Sequence, residues 1–303
     1  MSPTPRTLRI ATRASPLARW QADHVADLLR ERHPADVTVE VVPVETEGDR
    51  RLDVPISEIG GKGVFAKEVQ LAVLDGRADL AVHSAKDLPA AAARGLVLAA
   101  VPERGDARDA LVGATLDELA DGAPVATGSQ RRRAQLARVR PDLTFIELRG
   151  NMATRLSKVP DGGAIIVARV ALQRLDLEDQ IAEVLETDVM IPQVGQGALA
   201  VECRVGDSEV VELVKAVEHG PSRRRVDAER AFLATLGGDC ELPAGAHATL
   251  TRGESGGELR IDAFLASDGS AGAKAVRHTA ADDDPESLGH TTATHLRGLL
   301  GYR

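Results

Sequence analysis

The chain has 303 residues, enough for two or three domains of ordinary size. Hydrophobic residues make up 43% and aromatics only 2%, so real cores can form but base-stacking rings are scarce. Lys and Arg number 37 against 46 Asp and Glu, a formal net charge of -9 that argues against a nucleic-acid backbone binder and makes any local basic cluster informative.

The N-terminal MSPTPRTLRIATRAS lacks the apolar core and small-residue cleavage site of a signal peptide. No run approaches the ~20 apolar residues of a membrane span. Two cysteines, Cys203 and Cys240, make neither a disulfide framework nor a zinc site. The expected setting is soluble, reducing and cytoplasmic, with no membrane and no nucleic-acid partner.

Residues 7–12 (TLRIAT) read as a strand, and Ser15 followed by Pro16 as the cap and first position of a helix. Residues 37–46 read as a second strand and 63–76 as a helix ending at Gly76. LAVHS (80–84) and LVLAAVP (96–102) read as buried strands. The charged stretch ERGDARDA (103–110) marks the start of a second unit. That unit holds a strand PVATGS, an Arg-rich helix, a strand TFIELRG, a helix from Asn151 and a strand AIIVARV. GQGALAVECRV (195–205) gives one more strand and DSEVVELVKAVEHG one more helix. The alternation predicts parallel sheets covered by helices, with ligands beyond the carboxyl ends of the strands. After Pro221 come one helix, strands joined by Gly- and Ser-rich turns, and a last helix over roughly 285–300.

The chemistry gathers at strand-to-helix junctions. In TGSQRRR a strand ends at Thr127, Gly128 turns the chain and Ser129 caps a helix whose free N–H groups favour an anion. Arg131 and Arg132 add forked donors suited to carboxylate or phosphate. Neighbours on a helix lie about 100° apart, so one or two of the three arginines can reach a ligand. A solvated basic face is the competing reading. Arg13, Lys62, Lys86, Arg149 and Arg155 repeat the placement, which favours a deep site for a polyanion. No metal is expected. In HSAKDLP, Lys86 keeps Asp87 ionised; the carboxylate is either an ordinary ion pair or one that steadies a cation and moves protons. His83 reads as packed rather than catalytic. Cys240 lies in an ordered loop, LGGDCELPAG, and is more available than Cys203 inside its apolar strand.

Seven segments together carry a resemblance: RIATRASPLARWQA, GGKGVFAKE, ADLAVHSAKDLP, TGSQRRRAQL, ELRGNMATRL, PQVGQGALAVECR and GGDCELPAG. In this order they resemble the porphobilinogen deaminase (hydroxymethylbilane synthase) family, over residues 9–245. The resemblance implies an α/β fold: two periplasmic-binding-protein-like α/β domains plus a small α+β C-terminal domain. The domains would be 1–102 with 195–218, then 103–194, then 219–303. It also implies a monomer carrying a dipyrromethane cofactor on Cys240 by a thioether. Four porphobilinogen units would be joined with loss of ammonia, and the tetrapyrrole then hydrolysed off. By the same resemblance Asp87 is catalytic, and Ser84, Lys86, Asp87, Thr127, Ser129, Arg131 and Arg132 hold the cofactor. Arg13, Ser15, Gln21, Lys62, Arg149, Arg155, Arg174 and Gln196 hold substrate. Gly128, Gln130, Arg169, Ala171 and Asp239 depart from the family's usual residues. A non-catalytic binder of a carboxylated ligand would explain the cations but give Cys240 no task. A ligand-sensing regulator would need a helix-turn-helix, and none is read.

Overall fold

The computed structural model describes residues 5–46, 63, 65–237, 242–251, 257–270 and 272–301. Its contacts divide the chain into two compact units, Met1–Arg104 with Ala198–Arg223, and Gly105–Gly197 with Arg224–Arg303.

The first unit is built on five strands: β1 (Arg6–Arg13), β2 (Val37–Val44), β3 (Leu80–Ser84), β4 (Leu96–Ala100) and β10 (Leu199–Arg204). They form one sheet in the order β2-β1-β3-β10-β4. Helix α1 (Pro16–Arg32) starts where the sequence places it, with Pro16 in the first turn and Ser15 Oγ accepting from Ala18 N at 3.4 Å. Its buried residues Ala18, Ala22, Val25, Ala26 and Leu29 recur at helical spacing. Ala22, Val25, Ala26 and Leu29 share a core with Leu8, Ile10, Leu80 and Val201. On the other face, helix α2 (Lys67–Leu74) sends Val69, Ala72 and Val73 against Ala11, Ala81 and Leu96.

The second unit repeats the order. Its strands β5 (Asp109–Val112), β6 (Pro124–Ala126), β7 (Thr144–Ile146), β8 (Ala164–Ala168) and β9 (Glu183–Leu185) run β7-β6-β8-β5-β9. Helix α3 (Gln130–Val139) covers it through Leu136, which packs with Leu111, Val125 and Ile166. Two short helices, α4 (Met152–Leu156) and α5 (Arg169–Gln173), lie at strand ends. A separate three-stranded antiparallel sheet, β11 (Ala244–Leu250), β12 (Leu259–Ala266) and β13 (Ala275–Asp282), carries the final helix (Pro285–Leu300) and packs Phe264 and Ala266 against Ala134 and Ile191.

The two larger sheets are mixed, not parallel as the strand–helix alternation predicts. β10 runs antiparallel to β3 and β4, and β5 antiparallel to β8 and β9. A strand fed by a crossover helix within its own sheet runs parallel to its neighbour. β5 and β10 are instead fed by chain arriving from a strand of the other sheet, so that constraint is lifted. The second unit begins at Gly105, inside the charged stretch 103–110, and β5 opens at the end of that stretch with its four residues all buried.

Candidate active site

In the first unit, β1 ends at Arg13 and the chain turns at once into the capped start of α1, which sets Ser15 and Gln21 beside the end of β3. Beyond Ser84 the chain makes a single 3-10 turn, Ala85–Asp87. Ala85 N donates to Ala198 O at 3.0 Å and Leu88 N to Ala85 O at 3.3 Å, which fixes the turn. Buried Gln21 donates to Ser84 Oγ at 2.9 Å. A cavity of about 380 Å³, open mouth included, has Arg13, Ser15, Gln21, His83, Ser84 and Asp87 on its polar side and Leu17, Phe65 and Val82 on its apolar side. The Arg13 guanidinium carbon stands 4.2 Å from the centre of the Phe65 ring, a cation–π contact that holds its charge in place. Lys86 and Asp87 are both half-exposed. His83 is buried behind them, its Nε2 3.2 Å from Glu202 Oε2, and Gln70 donates to the same oxygen at 2.8 Å.

In the second unit, β6 ends at Ala126 and Ser129 caps α3, its Oγ accepting from Arg132 N at 3.4 Å. Thr127 is wholly buried and its Oγ1 accepts from Ser129 N at 3.2 Å. The three arginines split as helical geometry requires. Arg133 points outward to Glu147 at 2.8 Å. Arg131 and Arg132 both turn inward onto Asp109, the fully buried first residue of β5. Arg131 donates through Nη2 to Oδ2 at 2.8 Å. Arg132 donates through Nε and Nη2 to Oδ1 at 3.1 and 2.7 Å. Gln196 adds a bond to Oδ1 at 2.9 Å and another to Ala107 O at 2.7 Å. Backbone carbonyls take the remaining forks: Ile191 O from Arg131 at 2.6 Å and Ile166 O from Arg132 at 2.9 Å. Burial pushes the Asp109 carboxyl up, but the charges of Arg131 and Arg132 outweigh it and hold it well below the usual carboxylate range.

Gly197 makes this arrangement possible. Its φ of 88° is left-handed, and a Cβ there would stand 2.6 Å from Gly105 O. Its carbonyl accepts from Arg174 Nη2 at 2.7 Å. Arg174 is buried, and loss of hydration pushes its guanidinium down to about 10. Arg155 donates to Gly150 O at 2.8 Å, and Arg149 lies partly buried one residue before it. Arg169, the extra charge near Ala171, donates to Asp106 at 2.6 Å and approaches Glu178 at 3.6 Å. Ala171 is buried. At Gly128 an added Cβ would meet Glu147 Oε1 at 2.6 Å. Lys62, Asp239 and Cys240 lie outside the described residues. Cys203 is fully buried on β10, and desolvation pushes its thiol up to about 12.

Asp109 is the residue sequence reasoning misses. Its partners stand 22, 23 and 87 positions away, so nothing local marks it. The available signal is chemical: two arginines in the first turn of a helix that packs on a sheet need a buried counter-charge. Arg131 Nε, Arg149 Nη1 and Arg169 Nε are buried and have no acceptor among the described residues.

The strand order and these basic strand ends define a mixed-sheet α/β protein with cationic side chains gathered where helices follow strands. Comparison with known proteins specifies it further. The family profile "Porphobilinogen deaminase, dipyromethane cofactor binding domain" matches residues 8–212, and "Porphobilinogen deaminase, C-terminal domain" matches 223–298. The porphobilinogen deaminase of Syntrophotalea carbinolica is 48% identical over 248 residues, covering 80% of this chain and 78% of that one. Among solved structures, the methionine binding protein MetQ aligns with a TM-score of 0.44 at 12% identity, over 75% of this chain and 96% of that one. A TRAP periplasmic solute binding protein from Desulfovibrio salexigens aligns at 0.42 and 11%, over 71% and 73%. The chain belongs to the porphobilinogen deaminase family. Its activity is that of a hydroxymethylbilane synthase, a transferase of porphyrin biosynthesis that acts on porphobilinogen and uses a dipyrromethane cofactor. Four porphobilinogen units condense in turn with loss of ammonia, and the linear tetrapyrrole is released by hydrolysis.

Proposed function

We propose that Asp87 is the catalytic residue of this reaction and that the basic strand ends of both units hold the acidic groups of cofactor and substrate. Each pyrrole carries an acetate and a propionate, so the growing chain is a polyanion. Ser84, Lys86, Asp87, Thr127, Ser129, Arg131 and Arg132 hold the cofactor, with Cys240 as its thioether anchor. Arg13, Ser15, Gln21, Lys62, Arg149, Arg155, Arg174 and Gln196 take the incoming substrate and the elongating chain. The dipyrromethane, when bound, supplies the pyrrole carbon to which the first substrate unit is joined.

The Asp87 carboxylate has two tasks. Loss of ammonia from porphobilinogen leaves a cation, and a fixed negative charge beside the pyrrole N–H stabilises it. The coupled ring must then lose a proton, and a carboxylate within reach of that ring accepts it. The carrying observation is that Asp87 lines the same cavity as Arg13, Ser15 and Gln21, so an acid shares one space with a cation and two neutral donors that can fix a carboxylated pyrrole. Arg131 and Arg132 act as a rigid pair: Asp109 removes their rotamer freedom before any ligand arrives, which lowers the ordering cost of binding. Steady-state turnover of Asp87→Ala tests the assignment; a rate near that of the parent chain defeats it.

Three domains, 1–102 with 195–218, 103–194 and 219–303, fit the three separate sheets. We place the protein in the cytoplasm as a monomer without nucleic-acid or membrane partners. The net charge of -9 supports the first exclusion. For the second, no described helix is long and apolar enough to cross a membrane.

A further inference from the structure

A second cavity lies within the second unit, on the far end of α3 from its Ser129 cap. It measures about 430 Å³, mouth included, and is lined by Arg138, Arg277, Gln135 and Asp188 with Val139, Val189 and Phe264 as its apolar surface. Arg138 stands in the last turn of α3 and Arg277 in β13, so two different elements deliver guanidiniums to one space.

Arg277 is anchored by neutral groups. It donates to Asp188 O, to Val189 O at 3.0 Å and to Gln135 Oε1 at 3.0 Å. Gln135 is itself locked, accepting from Ile191 N at 2.8 Å and donating to Ile191 O at 2.9 Å. Among the described residues neither Arg277 nor Arg138 forms an ion pair; Asp188 and Asp262 act on Arg277 only from a distance. Burial pushes the Arg277 guanidinium down and the charge of Arg138 pushes it the same way, against weaker opposition from Asp188 and Asp262. Two guanidiniums therefore converge on one space, with the Asp188 carboxylate on its wall but outside ion-pair distance of either. The nearby charges of Asp188 and Asp262 offset part of this repulsion, and an anion between the guanidiniums would offset the rest.

We infer that this cavity is a second anion site, which takes a small oxyanion on the fork of Arg138 and on the Nε and second Nη1 hydrogens that Arg277 has left, and seats any attached apolar group on Val139, Val189 and Phe264. The shared chemistry is a planar or tetrahedral oxyanion, carboxylate or phosphate, matched to guanidinium donors. The Asp188 carboxylate and the α3 carbonyl end select against bulky polyanions, because both repel extra negative charge. None of these residues belongs to the set assigned to cofactor or substrate, so the inference stands whether or not those assignments do.

The test is calorimetric titration of the cofactor-loaded protein with inorganic phosphate and, separately, with propionate, at constant ionic strength set by chloride. Arg138 is exposed, so Arg138→Gln leaves the fold intact and serves as the comparison. The expected result is an isotherm weakened about tenfold in Arg138→Gln, the loss of one charge-assisted hydrogen bond, with porphobilinogen turnover unchanged. Arg277→Gln is the second arm and weakens the same isotherm. Phosphate affected but not propionate assigns a phosphate site, and the reverse a carboxylate site. Identical isotherms for both anions in the parent chain and Arg138→Gln overturn the inference.

Discussion

Arg132 Nη2 donates to Asp109 Oδ1 at 2.7 Å, and the carboxylate is wholly out of water. Arg131 holds the other oxygen at 2.8 Å, so one acid secures two adjacent helix residues to a strand. The pair is worth little as a simple attraction, because desolvating the ions opposes it. Its value lies in fixing two guanidiniums in one orientation.

Removing the charge while keeping the shape therefore does disproportionate damage. Asp109→Asn leaves two buried arginines uncompensated and is expected to cost about 3–5 kcal/mol of stability at neutral pH. Urea unfolding at several pH values measures it. The folded carboxyl sits below its unfolded value near 3.9, so its contribution is complete above that pH and is lost as pH falls through the lower folded value. The gap between the parent chain and Asp109→Asn is expected to be flat from neutrality down to about pH 4 and to close only in stronger acid. A gap that closes above pH 5 contradicts the buried pairing.

Asp87→Ala is expected to leave the fold in place. The side chain is half-exposed in a turn held by backbone bonds, so the stability change is about 0.5 kcal/mol or less. Turnover of porphobilinogen is expected to fall by about 10²–10⁴-fold, the range of a lost acid–base group. Circular dichroism and a porphobilinogen-consumption assay separate the two effects.

The cofactor linkage has a mass signature. Intact mass spectrometry of the native protein is expected to show one two-pyrrole adduct, and Cys240→Ser to show none. An adduct retained in Cys240→Ser moves the attachment elsewhere.

The other thiol is expected to be silent. Cys203 is fully buried and its pKa is raised to about 12, so thiolate is scarce at pH 8. Alkylation with iodoacetamide at that pH is expected to leave the Cys203 peptide unmodified until denaturant is added. Labelling of the native protein at Cys203 would mean that β10 opens.

The legible parts of the sequence were those with local causes. Ser15-Pro16 and Ser129 announce helix starts because a cap and its partner lie three residues apart. Periodic apolar residues announce α1 because one face meets the sheet. The arginines at 131 and 132 were visible as a charge pair, but not what they hold. Asp109 opens a four-residue strand flanked by Arg108 and Asp106, and its charged surroundings imitate a linker. The antiparallel sense of β5 and β10 was equally hidden, since direction depends on where the preceding chain comes from. Pairing across such distances leaves no mark in neighbouring residues.

The position of β10 has a consequence for how the chain is made. Among the described residues β4 hydrogen-bonds in its sheet to β10 alone, and β10 is residues Leu199–Arg204. A nascent chain leaving the ribosome thus presents β1 to β4 about a hundred residues before the strand that joins β4 to β3. The sheet of β5 to β9 needs nothing synthesised after Leu185, so it can close first although translation starts on the other. An arrest sequence placed before residue 199 would hold the N-terminal sheet open at that seam.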